Sequence, residues 1–376
     1  NKLGNVYRKM GRYKDALNIL LKAKDIKDEI KDFKNLGYTF LEISSAYRWQ
    51  GNYDMAKKYN LESIKIAEKY DMQKLLANNF YHQSLMLISH NDYKSGKNVI
   101  NKAITIAKKI DSLSNVAKYI DCLGIILRHE RKFEESISVV NEALEISESI
   151  GDRHGLRKYL NSIGLTKERN GDFEGALDLY LKCLDISKKI NEKRSIAVSY
   201  NNIAGMYQIL GDLNNALKNY KKAFSNAKRI NYKEGEAGFA YNISGNLLKI
   251  NKYTESMKYI DISIEAFNQM DNPYVKECYI YKIYLYVIKG NDLKIKEYYE
   301  NIKNVDFDNN YNHIRNWELY KINSYMGNPD LRFLNNAYNR LQEDLDSIGS
   351  IESKNLFIKN FTYGDEIIKA FNEVKK

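Results

Sequence analysis

Residues 171–190 read GDFEGALDLYLKCLDISKKI, and within them Phe173, Ala176, Leu177, Tyr180, Cys183 and Leu184 recur at steps of three and four. That is the spacing of an amphipathic helix. Gly171 stands where a preceding helix can end left-handed without a side-chain clash. The same turn recurs at Gly11-Arg12-Tyr13, Gly51-Asn52-Tyr53 and Gly211-Asp212-Leu213, always a multiple of forty residues away. Asn91-Asp92-Tyr93, Arg131-Lys132-Phe133, Asn251-Lys252-Tyr253 and Asn291-Asp292-Leu293 fill the missing phases. Asparagine is the next-best left-handed residue, which leaves Arg131 as the one awkward occupant. Eight turns on one grid without an insertion make this a repeat architecture.

Other columns of the grid carry the packing. Small residues hold one phase at Gly4, Ser44, Ser84, Gly124, Gly164, Ala204 and Ser244, and a second at Ala16, Ala56, Gly96, Ser136, Ala176, Ala216 and Ser256. Small side chains in register mark where two helices approach closely. Each repeat therefore reads as two helices of roughly sixteen to eighteen residues, about 25 Å long at about 1.5 Å per residue. After Asn291 the register slips: the next turn, Gly327-Asn328-Pro329, comes early, and Val305–Asn310 reads as a loosened link. A last helix from about Ser350 to Lys376 lacks the signature and suits the polar end a solenoid needs. The organisation expected is a truncated first repeat over 1–32, seven regular repeats over 33–310, an irregular ninth over 311–348 and a cap over 349–376. The fold class is all-α, a right-handed solenoid of about nine helix-turn-helix repeats.

Composition agrees. The chain has two prolines in 376 residues, and proline breaks helix interiors. Lys and Arg exceed Asp and Glu by 59 to 48, a net charge of +11, but the charge is spread along the chain. A nucleic-acid surface would cluster it, so nucleic acid is disfavoured as a partner. Cys122, Cys183 and Cys278 show no paired spacing, which suits a reducing cytosol better than a disulfide framework. No apolar run has the length of a membrane span. Beginning at Asn1 inside a helical pattern, the chain is expected to be joined to further domains. The five histidines are scattered, no phosphate loop or nucleophile elbow is present, and no metal, cofactor or catalytic residue is expected.

Leu3-Gly4, Tyr7, Gly11, Tyr13, Ala16 and Ala23 match the signature spacing of the tetratricopeptide repeat, and the match recurs through most of the chain. The forty-residue unit, with its longer helices, resembles the long-repeat branch of kinesin light chains, spindle-orientation adaptors, maltose-regulator-like signalling proteins and peptide-sensing bacterial regulators. The resemblance implies that the first helix of each repeat lines an inner wall on which ligands lie. By phase that wall carries Arg8, Lys9, Arg48, Trp49, Tyr81, Arg128, His129, Asn161, Arg169, Asn201, Asn202, Tyr241, Asn242, Lys249, Tyr281 and Lys289, with Asn78, Lys118, Asp121 and Lys158 among them. Two features of the set point to recognition. Basic residues occupy the last inward turn in six of the first eight repeats, although a helix C-terminus favours cations in any case. Carboxamides at Asn161, Asn201, Asn202 and Asn242 can both donate and accept, so they suit the main chain of an extended segment. The expected function is a cytosolic sensor or adaptor module of a larger signalling protein that binds an acidic or extended protein segment. The alternative is a receptor for a short signalling peptide in a transcriptional regulator.

Overall fold

The structure, a computed structural model, describes residues 1–9, 12–270, 272–299, 302, 312–360 and 363–375, the side chain of Lys9 excepted. The expected turn at Gly11, the side chain of Lys9 and the link at Val305–Asn310 lie outside the described residues. The described residues form twenty helices and no strand. They are α1 (Lys2–Lys9), α2 (Tyr13–Glu29), α3 (Phe33–Trp49), α4 (Tyr53–Lys69), α5 (Gln73–Ser89), α6 (Tyr93–Lys109), α7 (Leu113–His129) and α8 (Phe133–Ser149). There follow α9 (Arg153–Arg169), α10 (Phe173–Lys189), α11 (Lys193–Ile209), α12 (Leu213–Arg229), α13 (Lys233–Lys249) and α14 (Tyr253–Gln269). The last are α15 (Val275–Lys289), α16 (Asp292–Tyr299), α17 (His313–Tyr325), α18 (Leu331–Asp346), α19 (Ile351–Asn360) and α20 (Gly364–Val374). They fall into two compact parts, residues 1–166 and 167–376, with the division inside α9.

The forty-residue beat is two identical half-beats. Helices such as α3, α4, α10 and α11 are 17 residues each. Each ends on a residue with positive φ, and these stand at Lys31, Gly51, Asp71, Asn91, Asp111 and Arg131, twenty residues apart, and likewise onward from Gly151. The amide of the next residue reaches back to the helix, as Asn52 N to Tyr47 O at 2.9 Å and Lys132 N to Leu127 O at 2.9 Å. This hydrogen bond closes the helix end and satisfies a carbonyl the helix leaves open. Arg131 adopts φ +61°, so the awkward residue accepts the left-handed geometry that the grid imposes. At the next helix start, Asp32, Asn52, Asp92, Asp172 and Asp212 accept from the amide three residues on, a cap that fixes the direction of each chain reversal.

The small columns meet across paired helices. Ser44 Oγ donates to Ala56 O at 2.7 Å, Ser84 Oγ to Gly96 O at 3.0 Å, Ser136 Oγ to Gly124 O at 2.8 Å and Ser244 Oγ to Ser256 O at 2.8 Å. Hydroxyl and partner carbonyl belong to the two columns twelve residues apart, so serine is tolerated there because the facing backbone takes its proton. A methyl on Gly124 would lie 2.3 Å from Val140 Cγ2, which explains why that site lacks one. Ala176, of the second column, is fully buried. Ala176→Leu is expected to overpack it by about 1–3 kcal/mol, read by urea unfolding, with hydrogen exchange rising first in α9 to α11, because repeats touch only neighbours. An equal rise in every repeat would contradict the assignment.

Two expectations are corrected. The left-handed residue before α16 is Gly290, φ +64°, and Asn291 instead caps the helix by accepting from Lys294 N at 3.2 Å. Glycine enters this region without a Cβ penalty, so it takes the turn one residue ahead of the grid. The terminal segment is also two short helices, α19 and α20, rather than one helix from Ser350 to Lys376.

Within each part the first helices of successive repeats touch one another, α3 with α5, α5 with α7 and α11 with α13, and no pair of second helices comes as close among the described residues. Within each part, first helices therefore line the inner side of the curve.

Candidate functional site

In the N-terminal part, the inner wall gathers Arg8, Glu42, Arg48, Tyr81, His82, Lys118, Asp121 and Lys158. Two of the four cations have carboxylate partners: Lys158 Nζ lies 2.8 Å from Asp121 and Arg8 Nε 3.8 Å from Glu42. The other two do not. Among the described residues, Lys118 Nζ meets only Asn78 Oδ1 at 3.3 Å and the ring of Tyr81, 4.0 Å from its centre, with Tyr119 farther off. Arg48 sits over the ring of Trp49 at 4.8 Å, and its Nε is buried without a hydrogen-bond partner. An aromatic face offers a cation some attraction but no counter-charge.

The titration of the group follows from this imbalance. Desolvation, and then the neighbouring ammonium of Lys158, bring Lys118 down to about 8. Burial likewise lowers Arg48, with a smaller push from Arg8. His82 is held well below the ordinary histidine value, first by desolvation and then by Lys118, Arg48 and Arg8. The ring is therefore neutral at pH 7 with Nδ1 buried and unpartnered. The half-buried wall thus holds two cations that, among the described residues, no carboxylate pairs with.

The remaining expected residues divide by what they already touch. Arg128 donates to Ser162 O at 3.3 Å, and His129 stacks on Tyr93 at 5.1 Å, so both are engaged at the end of α7. Asn161 and Asn202 are half-buried and have partners, whereas Arg169 and Lys289 are exposed. Asn242 donates to Asn201 Oδ1 at 2.8 Å, which ties two carboxamides of successive repeats together. Lys249 is taken by the carbonyl of Asn360. Tyr281, expected on the open wall, is only 3% exposed, because Arg315 lies over it and over Tyr241 at 5.7 and 5.3 Å. His82 and Glu42 were outside the expected set. His82 directly follows Tyr81 in α5, and only the convergence of three cations on its ring distinguishes it.

Tetratricopeptide-repeat profiles match residues 1–32, 115–189 and 196–231. The chain is a tetratricopeptide-repeat protein. As such it is a protein-binding module. No curated protein matches it in sequence. Among solved structures, a Rap protein complexed with competence and sporulation factor aligns with TM-score 0.53 at 14% identity, covering 96% of this chain and 99% of that one. The Rap conjugation gene regulator of plasmid pLS20, in complex with a Phr peptide, gives TM-score 0.56 at 13% identity over 93% and 99%. A tetratricopeptide sensor protein of the signal transduction ATPases with numerous domains, from Pyrococcus horikoshii, gives TM-score 0.55 at 15% identity over 90% of this chain and 52% of that one. At such identities the likeness is one of fold. None of the described helices is long and apolar enough to cross a membrane, and the three buried cysteines are not joined in disulfides.

Proposed function

We propose that the N-terminal inner wall captures an extended, acidic segment of a protein partner, as the sensor or adaptor surface of a larger signalling protein. The observation that carries this reading is the pair Arg48 and Lys118, cations desolvated on the wall with rings beside them and, among the described residues, no carboxylate in an ion pair with either. A desolvated ammonium is costly unless something compensates it, and an acidic side chain or a chain terminus of the partner would do so. The role is binding rather than catalysis: the wall's arginines, lysines, tyrosines and carboxamides are recognition groups. A second reading, a short signalling peptide as the captured segment in a transcriptional regulator, is supported by a similar fold holding a Phr peptide in the Rap conjugation gene regulator.

Calorimetry with short blocked peptides, acidic, neutral and basic, tests the proposal. Acidic peptides should bind tightest and lose affinity with added salt; equal binding by all three would exclude the reading. Because Lys118 titrates near 8, it is cationic below that pH and neutral above it. Affinity for an acidic peptide should therefore fall as pH rises from about 7 to about 9, while that of a neutral peptide stays level. Lys118→Met should remove the pH dependence.

A further inference from the structure

The C-terminal end of the chain turns back from α18 to repeats far earlier in sequence, all within residues 167–376. Gly349 N donates to Asn170 O at 3.2 Å, Ser353 Oγ to Gly171 O at 2.7 Å, and Asn360 Nδ2 to Ile209 O at 3.0 Å. Lys249 Nζ donates to Asn360 O. Gly171, Ile209 and Lys249 stand at the ends of the first helices α9, α11 and α13, so α19 runs along the rim of the inner wall. Its ten residues span about 15 Å, enough to cross from one helix end to the next.

What holds α19 differs from what holds its flanks. Ile348, just before it, is buried against Gly171. Beyond it, α20 buries Ile367 and Phe371, and Phe371 stacks on Tyr338 of α18 at 3.8 Å. In contrast, α19 buries no side chain fully: Leu356, Phe357 and Ile358 are half-buried, with the Phe357 ring 6.1 Å from that of His313, and its first residue, Ile351, is 71% exposed. Beside these partial contacts, its hydrogen bonds to the rim give protein partners to carbonyls at helix ends that water would otherwise satisfy, and Lys249 closes the C-terminus of α19. Exchanging such bonds for water changes little, and a free helix of ten residues is not stable alone.

We propose that α19 is a displaceable arm, anchored at both ends, that occupies the rim of the inner wall over α9, α11 and α13 until a binding partner takes its place. The occupant it gives way to is a segment that offers a carbonyl or carboxylate to Lys249 and a hydroxyl or carboxamide to the carbonyls of Gly171 and Ile209. The arm thereby makes this rim self-occupied at rest. The proposal stands apart from what the N-terminal wall binds, and its test uses no ligand.

Hydrogen exchange of the intact chain should show α19 amides exchanging about tenfold or more faster than those of α11 and α20. In the double variant Ser353→Ala/Asn360→Ala, α19 exchange should rise about a further tenfold while α20 stays unchanged. Acylation of the Lys249 amine, followed by mass spectrometry, should rise in parallel. The proposal is overturned if α19 is as protected as α11 in the parent. It is equally overturned if α20 loses protection together with α19 in the variant, or if Lys249 reacts no faster.

Discussion

Arg315→Met is expected to destabilise the C-terminal part by about 3–5 kcal/mol. Arg315 on α17 is 3% exposed and pairs with Glu318, fully buried one turn on, while its Nε lies 3.7 Å from Glu277 of α15. The guanidinium also lies over the rings of Tyr241 and Tyr281. Taking it away leaves two carboxylates near one another in a desolvated place, which is the costly way to break a buried pair. Replacing both partners, Arg315→Met with Glu318→Leu, should recover most of the loss, since no charge is then stranded. Burial already drives the Glu318 carboxyl well above its usual range. In Arg315→Met its folded value exceeds the unfolded one further, so the deficit grows as pH rises toward the folded value and shrinks as acid protonates the carboxyl. Urea unfolding at about pH 7 and about pH 5 measures both effects. A single variant as stable as the parent, or a deficit that grows with acid, would count against the pair.

Much of this fold is readable from the sequence because it obeys one period. A left-handed residue every twenty positions fixes where helices stop, and small residues at Ser44 and Ala56, or Gly124 and Ser136, fix where they touch. Both signals are local, so a pattern along the chain carries them. The grid fails where another local preference is stronger, as at Gly290 beside Asn291. It also fails where the partner lies far away in sequence. Nothing near Tyr281 announces that Arg315 will cover it, and nothing in the unpatterned end announces that Asn360 will meet Lys249. The candidate wall shows the same division. The phase of Arg48, Arg128 and Lys249 is plain, but phase does not separate cations that close helix ends from cations left without a counter-charge. Arg128 and Lys249 already serve backbone carbonyls. Arg48 and Lys118 do not, and that distinction rests on their surroundings.

The double variant Arg48→Met/Lys118→Met is expected to lose most affinity for acidic peptides. A charge-assisted contact made by a desolvated group is worth about 1.5–3 kcal/mol, which is about tenfold to a hundredfold in the dissociation constant for each site. Methionine keeps the aliphatic stem against Trp49 and Tyr81, so the change isolates charge rather than packing. The salt dependence should flatten together with the affinity, since fewer charged contacts remain to be screened. Arg169→Met, at an exposed position, should change little, because a solvated charge contributes weakly. Asn201→Ala should weaken acidic and neutral peptides alike if the carboxamides hold a ligand's main chain, with Asn242 left to rearrange. Stability separates recognition from mere structure. Burial disfavours the charged form of Lys118, so Lys118→Met should leave the melting temperature unchanged or raise it if the lysine is kept for a ligand. If instead the lysine serves the fold through its contact with Tyr81, the melting temperature should fall. Lower stability with unchanged peptide affinity would move the binding surface away from this wall.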